Sequence, residues 1–398
     1  MFDQLLYMNN KNLFLVAIVA VVNALGYGII IPVLYTYSQK FGLSDVQNGL
    51  LFSLFSLCQL IATPIIGRLS DKYGRKPLLT ISLIGSAVSF FTMAFAPSAI
   101  FLFLARALDG ITAGNIPVIS AIISDTTDEK NRGKGFAILG ASFGFGFVFG
   151  PAIASFTVGI NPSLPFIIAG IVSLISVVLT LVILKETNAH IGEVKNKNAF
   201  NFKALFKDLD DKNIIYLLTI LFLYTTGFNL FIYAFQPFAI RILNIDVIHI
   251  SWIFTGIGIV GIIAQGFIFP KVSKSFNLRK VYVYALLLLS VAFFVISFAN
   301  SYAFFVTVLM FMALFNSFVG PLSQTFLSKT ADSKSQGSIQ GIGSTFSSLG
   351  QIVGPILGGV ISSYALKYSF IASSFLIMVC VYYAIKLLHA HFIKESAF

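Results

Sequence analysis

The chain reads as an all-α membrane protein with twelve transmembrane helices in two pseudo-symmetric six-helix bundles, and three observations predict this. The first is composition: 57% of residues are hydrophobic, 43 of 398 are Phe and the mean hydropathy is +0.91. That is more apolar surface than a soluble core of this length needs. The second is the placement of charge, since only 10% of residues are Asp, Glu, Lys or Arg and they gather between long apolar runs. The third is self-similarity at an offset of 204, where Pro117 meets Pro321, Gly146 meets Gly350 and Gly150-Pro151 meets Gly354-Pro355.

Runs of about 17 to 25 apolar residues bounded by charge or turn signals place each span in order. Span one, 13–37, follows Lys11 and ends before Lys40. Span two, 47–67, stops at Gly67-Arg68-Leu69-Ser70-Asp71-Lys72-Tyr73-Gly74-Arg75-Lys76-Pro77, where five of eleven residues are charged. Because a charge at the bilayer centre costs at least ~3 kcal/mol, this stretch is expected to be a loop outside the hydrocarbon. Gly67 and Gly74 would permit the reversal, and Asp71 could sit at a neighbouring helix N-terminus, where a carboxylate gains about 0.3–1 kcal/mol. Spans three, 78–97, and four, 100–124, are separated only by a short connection, and Lys130, Arg132 and Lys134 precede span five, 135–158. Span six, 164–184, leads into the charged stretch 185–212. Spans seven to twelve follow at 213–238, 248–269, 281–299, 302–326, 338–361 and 368–388.

Positively charged loops are retained in the cytoplasm. With the N-terminus inside, all 26 Lys and Arg residues fall on cytoplasmic segments except Lys40, Arg241 and Lys367, and Arg106, which lies within span four. Both termini are therefore expected in the cytoplasm, and the net charge of +11 is a topology signal rather than a mark of nucleic-acid binding. The first span is expected to act as its own targeting signal, since no small-residue cleavage pattern follows it. Cys58 and Cys380 both fall inside spans and read as small apolar core residues.

The repeat divides the chain into an N-terminal bundle, 1–184, a cytoplasmic linker, 185–212, and a C-terminal bundle, 213–398. An even number of spans per half makes the repeats parallel, an arrangement that places a substrate site at the repeat interface and exposes it alternately to either side. In the linker, Phe200, Phe202, Leu205, Phe206 and Leu209 are spaced to lie on a membrane surface.

These features resemble the Major Facilitator Superfamily, and within it the 12-helix drug/proton antiporters such as the tetracycline exporters. Gly67 to Pro77 matches the superfamily pattern G-x-L-x-D-x-x-G-R-[KR], and Arg106, Gly110 and Gly114 match the R-x-x-x-G pattern of span four. Gly140 to Pro151 resembles the glycine-rich antiporter motif of span five, and Asn23 to Leu34 resembles the start of the tetracycline exporters. The small residues Gly140, Gly144, Gly146, Gly150 with Pro151, and Gly354 with Pro355, would let helix backbones approach closely, which matters in lipid, where no hydrophobic force joins helices. The motif's final glycines are Ala154 and Ser155 in the first half, whereas Gly358 and Gly359 are kept in the second. The resemblance implies a cytoplasmic gate of Gly67, Asp71, Gly74 and Arg75, for which Asp125 is the natural partner of Arg75. The bland alternative is that these charges only set topology.

The chain departs from the tetracycline exporters where they carry intramembrane acids, because those positions are here Asn23 and Ser89. Asp109 alone of the acids lies well within a span, three residues from Arg106 on one helix face. An intramembrane ion pair is a functional hypothesis by default. Asp109 is thus the candidate proton carrier with Arg106 beside it, the competing reading being a structural pair. The resemblance puts spans one, four, seven and ten around the cavity, so Asn23, Tyr27, Asn115, Asn229, Tyr233, Gln236 and Asn316, amid Phe143, Phe147 and Phe346, are the substrate-binding candidates. Apolar walls with a few amide and phenol groups suit an amphiphilic organic molecule better than an ion.

The expected function is proton-coupled efflux of a lipophilic or amphiphilic compound by alternating access, the alternative being proton-coupled import of a nutrient or metal chelator. The expected partners are a small-molecule substrate, protons and the lipid bilayer, with no nucleic acid, in a monomer of the bacterial inner membrane. No cofactor or metal is expected: His190, His249, His389 and His391 fall in loops or at a terminus, His389 and His391 are too isolated for a metal site, and no metalloprotease, phosphate-loop or paired-carboxylate motif points to an enzyme.

Overall fold

A computed structural model describes residues 11–127, 132–188, 191, 212–330 and 336–389. The aromatic stripe of the linker, together with His190 and His391, lies outside the described residues. Twelve helices among the described residues are long and apolar enough to cross a membrane. In the first half they are Leu13–Ile30, Asp45–Tyr73, Arg75–Ala94, Ala99–Thr126, Gly135–Val158 and Leu164–Ile183. In the second half they are Lys212–Arg241, Val247–Ser275, Leu278–Ile296, Tyr302–Lys329, Ile339–Tyr364 and Leu366–Lys386.

Proline and glycine decide where these helices break. Span one stops at Ile30, and after a turn containing Pro32 a short helix, Leu34–Gln39, completes the crossing. Span four consists of Ala99–Thr112, a 3-10 turn at Ala113–Asn115 and the helix Ile116–Thr126. Pro117 has no N–H to offer the Ala113 carbonyl, and Gln59 Nε2 of span two donates to it instead at 3.1 Å. In span eight a π-helical turn, Ala264–Ile268, precedes Pro270.

The charged stretch from Gly67 to Pro77 is not the loop its composition suggests. Span two stays helical through Tyr73, and the next helix begins at Arg75, so Gly74 alone makes the reversal. Its φ of +102° is a conformation that favours glycine. Gly67 lies inside the helix and serves no turn. At about 1.5 Å per residue, a 29-residue helix outruns a hydrocarbon layer of about 30 Å, so its last turns can carry charge beyond the apolar region.

The chain forms two compact units, Met1–Leu43 with Leu54–Lys197 and Val247–Thr255, and Ser44–Ser53 with Asn198–Asp246 and Gly256–Phe398. The first unit packs span one on spans five and six, and span three on spans four and six. The second repeats this with span seven on eleven and twelve, and span nine on ten and twelve. The core of the first unit includes Leu15, Val19, Leu79, Leu83, Ile119 and Ile122, all fully buried.

Equivalent glycines make equivalent contacts in the two units. A Cβ on Gly150 would stand 2.8 Å from the Gly28 backbone of span one, and one on Gly28 would stand 2.6 Å from the Gly146 carbonyl. A Cβ on Gly350 would meet the Phe222 carbonyl of span seven at 2.8 Å, and one on Gly354 the Thr226 carbonyl at 2.6 Å. Gly140, by contrast, has open space where a Cβ would go. Gly150→Ala should therefore destabilise the protein by about 1–3 kcal/mol through overpacking. Gly140→Ala should be neutral or stabilising by up to about 1 kcal/mol through helix propensity. Thermal unfolding of the purified protein in detergent checks both, and equal melting temperatures for the two variants would refute the contrast.

Candidate functional site

Arg106 and Asp109 sit one turn apart on span four and form a direct ion pair, Nη1 to Oδ2 at 2.8 Å. Their side chains are only 3% and 8% exposed. The guanidinium lies over the Phe55 ring of span two, 4.4 Å from its centroid, a cation–π contact strengthened by desolvation. Tyr27 of span one packs its ring against Phe55 at 6.0 Å and edge-on to Phe147 at 5.8 Å. Arg106 Nε is buried with no hydrogen-bond partner among the described residues. Removing one partner of such a pair would leave an uncompensated charge, at a cost of about 3–5 kcal/mol.

One turn before Tyr27 on span one, Asn23 donates through Nδ2 to Asn115 Oδ1 at 3.0 Å, at the 3-10 break of span four. Ser89, the other position where the tetracycline exporters carry an acid, donates to the Ala105 carbonyl at 2.8 Å and is fully buried. Phe143 packs on the first unit's core, whereas Phe147 is 43% exposed.

The second unit treats its candidates differently. Asn316 accepts from the Tyr224 hydroxyl at 2.7 Å, a partner that sequence reasoning did not single out. Asn229 donates to the Thr225 carbonyl of its own helix at 2.9 Å. Tyr233 and Gln236 are 2% and 1% exposed, and the Tyr233 hydroxyl donates to the Asp45 carbonyl. Phe346 is half-buried on span eleven.

A second polar cluster surrounds the Gly74 turn. Arg75 pairs through Nη1 with Asp71, one turn back, and through Nε with Asp125 Oδ2 at 3.3 Å. Its Nη1 also donates to Ser70 Oγ at 2.8 Å. Asp71 lies in the last turn of the helix that ends at Tyr73, and the carboxylate at the N-terminus of span three is Glu186. Glu186 Oε1 accepts from Arg75 N at 2.9 Å and Oε2 from Lys76 N at 3.1 Å. The neighbouring residues bind the same turn: Thr187 Oγ1 donates to Asp125 Oδ2 at 3.2 Å, and Asn188 Nδ2 to the Asp71 carbonyl at 2.8 Å. A Cβ on Gly74 would stand 2.5 Å from Glu186 Oε2, so a larger residue there would also displace that carboxylate. The sequence signal for Glu186 is slight, a lone acid just after span six at the head of a lysine-rich linker.

Partial burial acts to raise the Glu186 pKa, but four backbone N–H donors, from Asn188, Arg75, Lys76 and Thr187, outweigh it and hold the carboxyl below its ordinary value. A depressed folded-state pKa stabilises fully above the unfolded value of about 4.3 and is lost as pH falls through the lower folded value. Glu186→Gln should therefore lower the melting temperature at pH 7 and flatten its decline below about pH 4.5. Melting curves against pH test this, and a variant curve parallel to the parent's would refute it.

A model of the Major Facilitator Superfamily matches the chain over residues 16–236 and 217–396. Multidrug resistance protein 1 of Bacillus subtilis is 31% identical over 372 residues, covering 91% of this chain and 93% of the relative. The class H tetracycline resistance protein of Pasteurella multocida is 29% identical over 369 residues, covering 90% and 91%. Among solved structures, the human organic anion transporter MFSD10 aligns with a TM-score of 0.71 at 19% identity, covering 94% of this chain and 99% of that one. The peptide transporter POT crystallised with sulfate aligns with a TM-score of 0.82 at 13% identity, covering 96% and 95%. Structural matches this remote speak to the fold alone, but the family model spans nearly the whole sequence. The chain belongs to the Major Facilitator Superfamily and is an integral membrane transporter rather than an enzyme.

Proposed function

We propose that the protein exports a lipophilic or amphiphilic organic compound across the bacterial inner membrane in exchange for protons, by alternating access, with both termini in the cytoplasm. The observation that carries the coupling is the buried Arg106–Asp109 pair of span four. A carboxylate kept in the membrane beside a guanidinium is expensive, and such groups commonly serve proton or substrate pathways. Protonating Asp109 would weaken its hold on Arg106, which stays over the Phe55 ring, and full pairing would return when the proton leaves, so one proton changes the electrostatics on which Phe55 and Tyr27 rest.

Two relatives carry names that assign them multidrug and tetracycline resistance, which favours export over import of a nutrient. Asn23, Tyr27, Asn115 and Phe147 remain the substrate-binding candidates of the first unit, and Asn229, Asn316 and Phe346 those of the second. The Asp71, Arg75 and Asp125 cluster is the candidate cytoplasmic gate, and Glu186 is its positioning residue.

Asp109→Asn should abolish substrate-induced proton movement in proteoliposomes, while Asp109→Glu should retain part of it. Persistence of full proton movement in Asp109→Asn would sink the assignment. Expression in a drug-sensitive bacterium should lower accumulation of a lipophilic dye, and raised accumulation would point to uptake instead.

A further inference from the structure

Of the basic residues, Lys40, Arg241 and Lys367 are the three that sequence places on the face opposite the Gly74 turn. Lys40 lies over the Tyr37 ring and Lys367 over the Tyr368 ring. Arg241 makes a contact of another kind, a two-point ion pair with Asp45 in which Nη1 reaches Oδ2 and Nη2 reaches Oδ1, both at 2.8 Å. Both residues belong to the second unit, which groups Ser44–Ser53 of span two with spans seven and eleven.

The local chain builds this pair from both ends. Ser44 and Gln47 form a reciprocal capping box, Ser44 N donating to Gln47 Oε1 at 2.8 Å and Gln47 N to Ser44 Oγ at 3.3 Å. That cap sets Asp45 as the first residue of a 29-residue helix, where its charge suits the positive end of the dipole. Arg241 is the last residue of the 30-residue span seven, where a cation suits the negative end. Beneath the pair the helices touch almost bare: a Cβ on Gly49 would collide with the Pro355 carbonyl, and one on Gly359 would stand 2.6 Å from the Asp45 carbonyl. The Tyr233 hydroxyl donates to that same carbonyl, and Ser53 Oγ donates to the Ile352 carbonyl at 2.6 Å.

Glycine faces with few interlocking side chains can part and rejoin at little cost, and something directional must then hold them together. We propose that the Asp45–Arg241 pair is a latch at the outer end of span two, fastened on span seven in this structure and released during transport. Its exposure fits that duty, since Asp45 is 9% exposed and Arg241 41%. Water can therefore take over the guanidinium when the pair opens, which it cannot do for the 3% exposed Arg106. The inference rests on the orientation and the alternating cycle proposed above.

The test replaces Cys58 and Cys380 with serine and introduces Phe52→Cys, because Phe52 packs edge-on against Tyr233 at 5.9 Å behind the pair. Intact cells are then labelled with a membrane-impermeant maleimide. Asp45→Asn and Arg241→Gln should each speed labelling about two- to fivefold, the population shift expected from losing one partly exposed ion pair. The charge exchange Asp45→Arg with Arg241→Asp should bring the rate back toward the parent's, an outcome that a misfolded single variant cannot imitate. Equal rates in all four proteins, or no labelling until the cells are lysed, would overturn the latch. Labelling needs no substrate, so unchanged rates beside active export condemn the latch alone. Shifted rates without export of any compound tested condemn the efflux reading alone.

Discussion

In hydrocarbon two helices gain nothing by hiding leucines from water, so a bundle in lipid depends on how closely its backbones can approach. Here that approach is set by glycines 204 positions apart. Gly146 and Gly150 admit the backbone of span one, and Gly350 and Gly354 admit that of span seven. Those contacts bring the polar side chains of span one to their partners. Span one presents Asn23 to Asn115 and Tyr27 to Phe55 because its Gly28 lies flush against span five. The motif's last two glycines differ between the halves for a visible reason. Gly358 and Gly359 make room for the Tyr233 ring and the Asp45 carbonyl, whereas Ala154, at the position equivalent to Gly358, is fully buried with its methyl group accommodated.

Three kinds of charge pair follow from three environments. Arg106 and Asp109 are both buried, so neither can lose the other without a large penalty. Asp45 and Arg241 are unequal in exposure, which makes their pair directional yet separable. At the Gly74 turn Arg75 is 11% exposed, but its partners Asp71 and Asp125 are 50% and 28% exposed, and the cluster relies on backbone donors to Glu186 as much as on charge. One chain thus uses the same two residue types for a dry contact, a wettable one and a wet one.

Twelve spans were legible in the sequence because run length and charge placement are governed by the thickness of the bilayer. The pairing of Arg75 with Asp125 was also within reach, since each is a charge at a span end. What stayed hidden was whatever depends on helix length beyond the membrane or on distant partners. Arg68, Asp71 and Lys72 looked like loop residues because hydropathy cannot distinguish a polar loop from a polar helical turn. Glu186 was passed over because the donors that tie it to the turn, Arg75 N and Lys76 N, are more than a hundred residues earlier in the chain. Tyr233 read as a cavity phenol, yet its hydroxyl is engaged by a backbone carbonyl that no side-chain pattern reveals.

The one-residue turn at Gly74 has a consequence for biogenesis. Arg75 and the carboxylate that caps its helix are separated by 111 residues. At synthesis rates of 5–20 residues per second, the hairpin of spans two and three waits about 6 to 22 s for Glu186 to be made. During that interval the first N–H groups of span three must be hydrated, and the hairpin enters the bilayer with its turn unsealed. The last residues translated for the first six spans therefore close the first tight turn, so the fold of this half is completed by its own tail.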